Sequence, residues 1–393
     1  MPPSTPASGG ASLGSEGPNN TLREVKSRLL IAAQPKDGGV ARHVVTLVEA
    51  LPAGRFAVDV ACPRDSLTWS SLEGVEEVEL HAIRPHRRPN PDDARSFMTL
   101  LRLAGRADVV HVHSSKAGFL GRLASALRGK RSTCVFTPHG WSFWAAEGVE
   151  ARLYVGLERL AARWCRSIVA LSGHEREAGL EARVGRPEQY RVVPNGVRLE
   201  RFALPRSPVR GRILMVGRLA SPKRPDLALR ALAALRAAIP EAELHVVGDG
   251  PLRPQAERLA AELGLAEAVR FLGHREDVPE LLAASECALL ASDYEGCPLT
   301  VVEAMAAGVP VAATDAGGTG ELVQPGSTGE LGPLGDAEAL ALALERVLGD
   351  PGRAAELGAE GRRVARASLS LERMVERLVA LYEEPPAIPG TGD

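Results

Sequence analysis

The chain has 393 residues, too many for one ordinary hydrophobic core and comfortable for two. It is 45% hydrophobic and 24% charged, a globular composition, and no apolar run is long enough to span a membrane. The net charge of −2 conceals an asymmetry: residues 1–200 carry 27 Lys and Arg against 21 Asp and Glu, whereas 201–393 carry 20 against 28. A basic half has two readings, an attraction to an anionic acceptor or membrane surface and an ordinary solvated face. Nothing calls for nucleic acid as a partner.

Residues 1–22 lack both a basic start and an apolar stretch and read as a disordered tail. The five cysteines (Cys62, Cys134, Cys165, Cys287 and Cys297) show no metal-like or paired spacing. An odd count without a secretory signal favours reduced thiols and a cytoplasmic protein. Cys297 is expected to be a small packing residue.

Short apolar runs then alternate with helical stretches. The runs are R-L-L-I-A-A (28–33), F-A-V-D-V-A-C (56–62), V-E-E-V-E-L (75–80), D-V-V-H-V-H (108–113), S-T-C-V-F-T (132–137) and S-I-V-A-L-S (167–172). This is the βαβ rhythm of a parallel sheet. The rhythm restarts at R-I-L-M-V-G (212–217) and continues through L-H-V-V-G (244–248), V-R-F-L-G (269–273), C-A-L-L-A-S (287–292) and V-P-V-A-A-T (309–314). The expected fold is α/β, with two doubly wound Rossmann-like domains over 23–200 and 201–370. Pro194-Asn195-Gly196 marks a turn ahead of the junction near 199–205. A last helix, 371–385, is expected to pack back across the first domain.

Doubly wound sheets bind ligands at the carboxyl ends of their strands, so the motifs there matter most. After the first strand, Gly38 and Gly39 open a helix and permit close backbone approach to a diphosphate, or form a plain βα turn. After the fourth, H-S-S-K-A-G offers His113, Ser114 and Lys116; after the fifth, T-P-H-G-W offers His139. In the second domain, Arg218 and Lys223 of V-G-R-L-A-S-P-K follow the first strand, where they are either phosphate ligands or loop surface charge. The run V-V-G-D-G-P has two glycines and lies on a later strand, a poor match to a dinucleotide fingerprint.

The segment E-G-C-P-L-T-V-V-E places Glu295 in a strand-to-helix turn and Glu303 inside the helix, with seven residues between them. Pro298 suits a first helical position because its φ is fixed and its missing N–H would be unpaired there. The amides of Leu299 and Thr300, with the positive end of the helix dipole, then make a phosphate site. Two acceptor-only carboxylates flanking such a site suit a ligand with many hydroxyls and a diphosphate, a nucleotide sugar. The bland alternative is an acidic, solvated helix face.

Taken in order, G-R-L-x-x-P-K, G-D-G-P, F-L-G-H-R-E-D, E-G-C-P-L-T-V-V-E-A-M-A-A-G-V-P-V and D-A-G-G-T-G-E resemble the retaining family 4 glycosyltransferases of GT-B fold. The resemblance covers nearly the whole second domain, and D-G-G-V-A-R-H, H-S-S-K-A-G and P-H-G-W agree with it in the first. It implies that Glu303 binds the ribose hydroxyls and Glu295 those of the donor sugar. Arg218 and Lys223 would neutralise the diphosphate, with the amides of Gly39, Leu299 and Thr300. The Gly273-His274-Arg275 turn would hold the base, and His139 would stabilise positive charge at the anomeric centre. Arg224, where many relatives have glycine, and Glu330, at a place often apolar, depart from the pattern.

The expected reaction is sugar transfer from a nucleoside diphosphate donor to an acceptor hydroxyl, with retention by same-face displacement. UDP is the default base and GDP the other candidate. No Asp-x-Asp motif is present, so neither a metal nor any other cofactor is expected. The acceptor side points to surface polysaccharide or glycolipid assembly, with a glycan or lipid-linked acceptor. The basic stretches R-P-H-R-R (84–88) and 117–131, the latter with Phe119, Leu120, Leu123 and Leu127, are candidates for peripheral membrane contact at the inner face. A sugar-nucleotide epimerase of similar fold and a catalytically silent assembly subunit are the alternatives.

Overall fold

The computed structural model describes residues 26–84 and 90–385. The expected tail and most of the 84–88 basic run lie outside the described residues. Seven strands form the first sheet: β1 Ser27–Ala32, β2 Phe56–Cys62, β3 Val78–Ala82, β4 Val109–His113, β5 Cys134–Thr137, β6 Ser167–Ala170 and β7 Tyr190–Val192. Six form the second: β8 Val209–Val216, β9 Glu243–Val247, β10 Val269–Gly273, β11 Ser285–Leu290, β12 Val311–Thr314 and β13 Gly329–Gly332. The strand orders are β3-β2-β1-β4-β5-β6-β7 and β10-β9-β8-β11-β12-β13. Neighbouring strands in both sheets pair parallel. Both orders reverse direction once, between β1 and β4 and between β8 and β11, the places where a doubly wound sheet opens a crevice.

The central strands are continuous apolar runs because helices cover both sheet faces. Leu29 and Ile31 of β1 point to one core and Leu30 and Ala32 to another, the period-2 alternation of a strand buried on both sides. Two strands escaped the sequence reading. Strand β7 spans three residues and β13, Gly-Glu-Leu-Gly, spans four, too short to show a period. Strand β3 begins three residues later than expected, because Gly74 and Glu77 both take positive φ and hold 74–77 in a turn.

The last helix, Leu371–Glu383, packs Met374, Val375, Leu378 and Tyr382 into the core shared by β1, β2 and the helix Gly38–Ala50. The chain returns to the first sheet through a backbone splice: Val197 N–H donates to Leu369 O (3.0 Å) and Leu371 N–H to Val197 O (2.9 Å). A Cβ at Gly196 would lie 2.3 Å from Ser370 O, so only glycine lets the two segments meet there. Among the described residues, no helix is long and apolar enough to cross a membrane.

Candidate active site in the cleft between the sheets

The carboxyl ends of the two sheets face each other, and side chains bridge the gap. Asp37, at the cap of the helix Gly38–Ala50, accepts from Arg218 Nη1 (3.0 Å) in the loop after β8. From the same helix, Arg42 reaches Glu303 across the cleft at 3.3 Å. Glu321 accepts from the amides of Gly173 (2.9 Å) and His174 (2.6 Å), so a second-domain carboxylate caps a first-domain helix at its positive end.

On the second-domain side, the helix runs Leu299–Ala307 and Pro298 is its cap, with ψ 114°. This corrects the expectation that Pro298 is the first helical residue. The consequence for the amides is unchanged: the first to find a carbonyl is that of Val301, which donates to Pro298 O, leaving Leu299 and Thr300 to open the helix. Glu303 is 5% exposed, its Oε2 has no hydrogen-bond partner, and burial pushes its pKa up despite Arg42. Thr300 Oγ1 is likewise buried and unpartnered. Glu295 accepts from Lys223 Nζ at 2.5 Å. Gly39 lies opposite Leu299, where an added Cβ would meet the Leu299 side chain at 3.9 Å. The structure therefore brings Gly38, Gly39, Arg218, Lys223, Glu295, Leu299, Thr300 and Glu303 to one cleft.

Gly273 ends β10 with φ +67°, and its carbonyl accepts from Gly248 N–H (2.7 Å). His274 and Arg275 are exposed beside it, and the Arg275 guanidinium is engaged by Asp277 at 2.5–2.7 Å. The side chain of Arg275 is thus turned to its own loop. Arg224 pairs with Asp226 and Asp293 at 2.7–3.0 Å, and Glu330 is buried with Arg346 at 3.6 Å. The departure at Arg224 is a salt-bridged helix start, and that at Glu330 a carboxylate neighboured by a cation.

The first-domain side is made of histidines. His139 sits in a loop where it (φ +56°) and Gly140 (φ +91°) both take the left-handed region. Glu175 holds this loop: its two oxygens accept from Gly140 N–H (2.5 Å) and Leu171 N–H (2.6 Å). Burial drives the Glu175 pKa up to about 7, against the pull of those two amides. His139 Nε2 lies 2.9 Å from Nδ1 of His113, and the His43 ring packs edge-on against His139 at 4.7 Å. Burial lowers the pKa of all three histidines, His43 to about 4, and keeps the rings neutral.

Two acceptor-side expectations need correction. His113 is fully buried beneath His139 and supports that residue instead of lining the surface. Lys116 is turned to Asp93, 2.6 Å away. Ser114, at φ +64°, caps the helix Ser115–Leu127. That helix buries Ala117, Gly118, Gly121 and Ala124, together with Arg122 paired to Glu158 at 2.6 Å. Its face of Phe119, Leu120 and Leu123 is half-buried, and Leu127 is exposed. Cys297 is buried and its thiol is pushed up to about 12 by burial, as suits a packing residue.

Sequence reasoning missed Asp37, Arg42, His43, Glu175, Asn195 and Glu321. Arg42 and His43 were within reach: they fall one helical turn beyond Gly38 and Gly39, on the face those glycines present to the cleft. Glu321 carries no local signal because both its partners are backbone amides in the other domain. Of the two amides held by Glu175, only Leu171 is near in sequence, while Gly140 lies 35 residues away.

The two halves match two family descriptions, residues 37–201 Glycosyltransferase Family 4 and 198–364 Glycosyl transferases group 1. The chain is 33% identical to the MMP alpha-(1→4)-mannosyltransferase of Mycolicibacterium hassiacum, over 90% of this chain and 89% of that protein. It is 29% identical to the UDP-Gal:alpha-D-GlcNAc-diphosphoundecaprenol alpha-1,3-galactosyltransferase of Escherichia coli, over 84% and 90%. Among solved structures, HepE of Anabaena in complex with UDP-glucose superimposes with a TM-score of 0.77 at 22% identity, over 90% of this chain and 98% of that one. Two facing parallel-sheet domains with this cleft define a GT-B glycosyltransferase. The chain belongs to the family 4 glycosyltransferases of the group 1 type.

Proposed function

We propose that this enzyme transfers a sugar from a nucleoside diphosphate donor, UDP-linked, to a hydroxyl of a glycan or lipid-linked acceptor in polysaccharide or glycolipid assembly, with retention at the anomeric carbon. The observation that carries the donor site is Glu303: a buried carboxylate with one oxygen unpartnered, one turn inside a helix whose first amides face the cleft. A desolvated acceptor in that position matches the two hydroxyls of a ribose, while the helix start and Arg218 match a diphosphate. Names of relatives support the substrate class, since the Escherichia coli protein takes UDP-Gal and a diphosphoundecaprenol-linked sugar.

In this reading Lys223 and Arg218 exchange Glu295 and Asp37 for the diphosphate, and Glu295 turns to the sugar hydroxyls. The backbone at Gly273-His274-Arg275 holds the base. Leaving-group charge is stabilised by Lys223, Arg218 and the amides of Gly39, Leu299 and Thr300. The carboxylate that holds the His139 loop, Glu175, has both oxygens engaged by the amides of Gly140 and Leu171, which favours same-face displacement in which the departing diphosphate takes the acceptor's proton. His139, neutral and aimed by Glu175 and His113, stabilises developing positive charge with its ring and carbonyl. The chemistry proceeds without a metal, so turnover persists in EDTA. Exposed Leu127, Val149, Leu153, Leu157 and Leu160, with exposed Arg152, lie on the two adjoining helices 115–127 and 148–161, and exposed Arg128 and Arg131 follow the end of the first. They support peripheral contact with an anionic membrane at its cytoplasmic face.

A thermal-shift panel of nucleoside diphosphates and nucleotide sugars, followed by product analysis, tests the reading. UDP and one UDP-sugar should raise the melting temperature, and the product should keep the donor's anomeric configuration. Epimerised donor without transfer, or no stabilisation by any nucleotide, would overturn it.

A further inference from the structure

The first-domain wall gathers three histidines, of which the proposed transfer reaction uses only His139 at the sugar. His43, His113 and His139 come from three separate elements: the helix 38–50, the end of β4 and the loop after β5. One ring nitrogen from each lies within 4.8 Å of the others. The side chains around them set the chemistry of those nitrogens. Asn195 Nδ2 donates to Cys297 O at 2.7 Å, so Asn195 Oδ1 is the atom that faces His43 Nδ1 at 2.9 Å. An amide oxygen only accepts, which makes His43 Nδ1 the donor and places the ring's lone pair on Nε2. That Nε2 is buried and has no partner, and neither has Nε2 of the fully buried His113.

We propose that His43, His113 and His139 form a binding site for a divalent transition-metal ion of the zinc class, and that its occupation inhibits the enzyme. Three imidazoles leaving one position open is a ligand set that zinc accepts, at about 2.0–2.1 Å per bond. Tetrahedral coordination brings the nitrogens to about 3.3 Å of one another, so closure from 4.8 Å needs only side-chain movement. His43 already has the outer support of a metal ligand, its far N–H fixed by an amide that is itself anchored to the backbone at Cys297. His139 is part-exposed to the cleft and provides the entry. Binding breaks the His113 Nδ1–His139 Nε2 hydrogen bond, each ring turning a lone pair to the ion as a neutral tautomer with its proton on the other nitrogen, and withdraws His139 from the sugar. This inhibitory consequence rests on the role proposed for His139; the metal site itself does not.

The full chain without a polyhistidine tag should take up one Co²⁺ per molecule in equilibrium dialysis, with the visible absorption of a tetrahedral nitrogen site, and Zn²⁺ should displace it. His43→Gln, folded by circular dichroism, should weaken uptake at least tenfold. If that variant fails to fold, His139→Ala supplies the same measurement from the part-exposed side. Zn²⁺ should suppress turnover of the parent and a chelator should restore it. Absence of stoichiometric uptake by the parent, or parent-like affinity in a folded variant, would overturn the site whatever the enzyme's activity. Loss of nucleotide binding by the metal-free chain would instead count against the transferase reading and leave the metal site standing.

Discussion

Both walls of the cleft stand on the same doubly wound topology, yet they handle charge in opposite ways. The second-domain wall carries Arg218, Lys223, Glu295 and Glu303, each in an ion pair, Arg218 and Glu303 with Asp37 and Arg42 from across the cleft. The first-domain wall carries His43, His113 and His139, which burial holds neutral. A ligand entering the cleft meets exchangeable ion pairs around the second-domain helix start, two of them reaching across to Asp37 and Arg42, and uncharged, hydrogen-bonded rings deeper in the first-domain wall. Such an arrangement suits a substrate whose charge sits wholly at one end, with the reacting carbon against the uncharged wall.

The sharpest way to break this comparison is at Lys223. If the charged wall stabilises the leaving diphosphate, Lys223→Ala should lower kcat by roughly 100–1,000-fold, the order expected on losing one preorganised donor to a developing anion. Its circular dichroism should match the parent's, with some loss of melting temperature because Glu295, only 13% exposed, loses its ion-pair partner. A variant that turns over within a few-fold of the parent would remove the charged wall from the mechanism.

The uncharged wall is tested through Glu175, whose carboxyl is raised to about 7 chiefly by burial. Between about pH 4.5 and 7 the folded protein keeps this proton and the unfolded chain releases it, so ΔG of unfolding falls as pH rises through that window. Below it both states are protonated, and above it both are ionised. At about 1.4 kcal/mol per pH unit, the accumulated loss is about 3 kcal/mol. Urea unfolding across this range should show the decline in the parent and lack that component in Glu175→Gln. Parallel profiles would mean that Glu175 is ionised throughout and that the wall tolerates charge.

Much of this was legible beforehand, for identifiable reasons. The strands β1, β4 and β8 are long apolar runs, and their turns hold the glycines and basic residues that doubly wound folds place at the crevice. The helix of Glu303 was readable because Pro298 precedes its first turn, although the proline is the cap and not the first helical residue. Interactions spanning the cleft were not readable. Asp37 with Arg218 and Arg42 with Glu303 join positions 181 and 261 residues apart, and no local pattern encodes such a pairing. His113 misled for a related reason: a strand end indicates proximity to the cleft, not whether another ring, here His139, will cover it.

A smaller effect separates the two carboxylates of the charged wall. Glu303 should accept charge-assisted hydrogen bonds from the ribose, so Glu303→Ala should weaken UDP binding by roughly 1.5–3 kcal/mol in calorimetry. Glu295→Ala should reduce turnover more than nucleotide affinity, since its proposed partner is the sugar. Equal UDP affinity in the parent and in Glu303→Ala would place the ribose elsewhere.

The smallest effect concerns how easily the charged wall gives up its ion pairs. Asp37 and Arg218 are both largely exposed, with side-chain exposures of 61% and 49%, so their pairing contributes at most about 1 kcal/mol. The donor's diphosphate competes for the same guanidinium and carries more charge. Asp37→Asn should therefore change stability by less than about 0.5 kcal/mol while tightening nucleotide binding a few-fold, because Arg218 no longer has to leave a carboxylate. The gain should shrink as salt rises, since exposed charges are screened over about 8–10 Å near physiological ionic strength. Nucleotide affinity that falls on removing Asp37 would show that this carboxylate holds Arg218 in its binding position, and the pair would then belong to the donor site instead of competing with it.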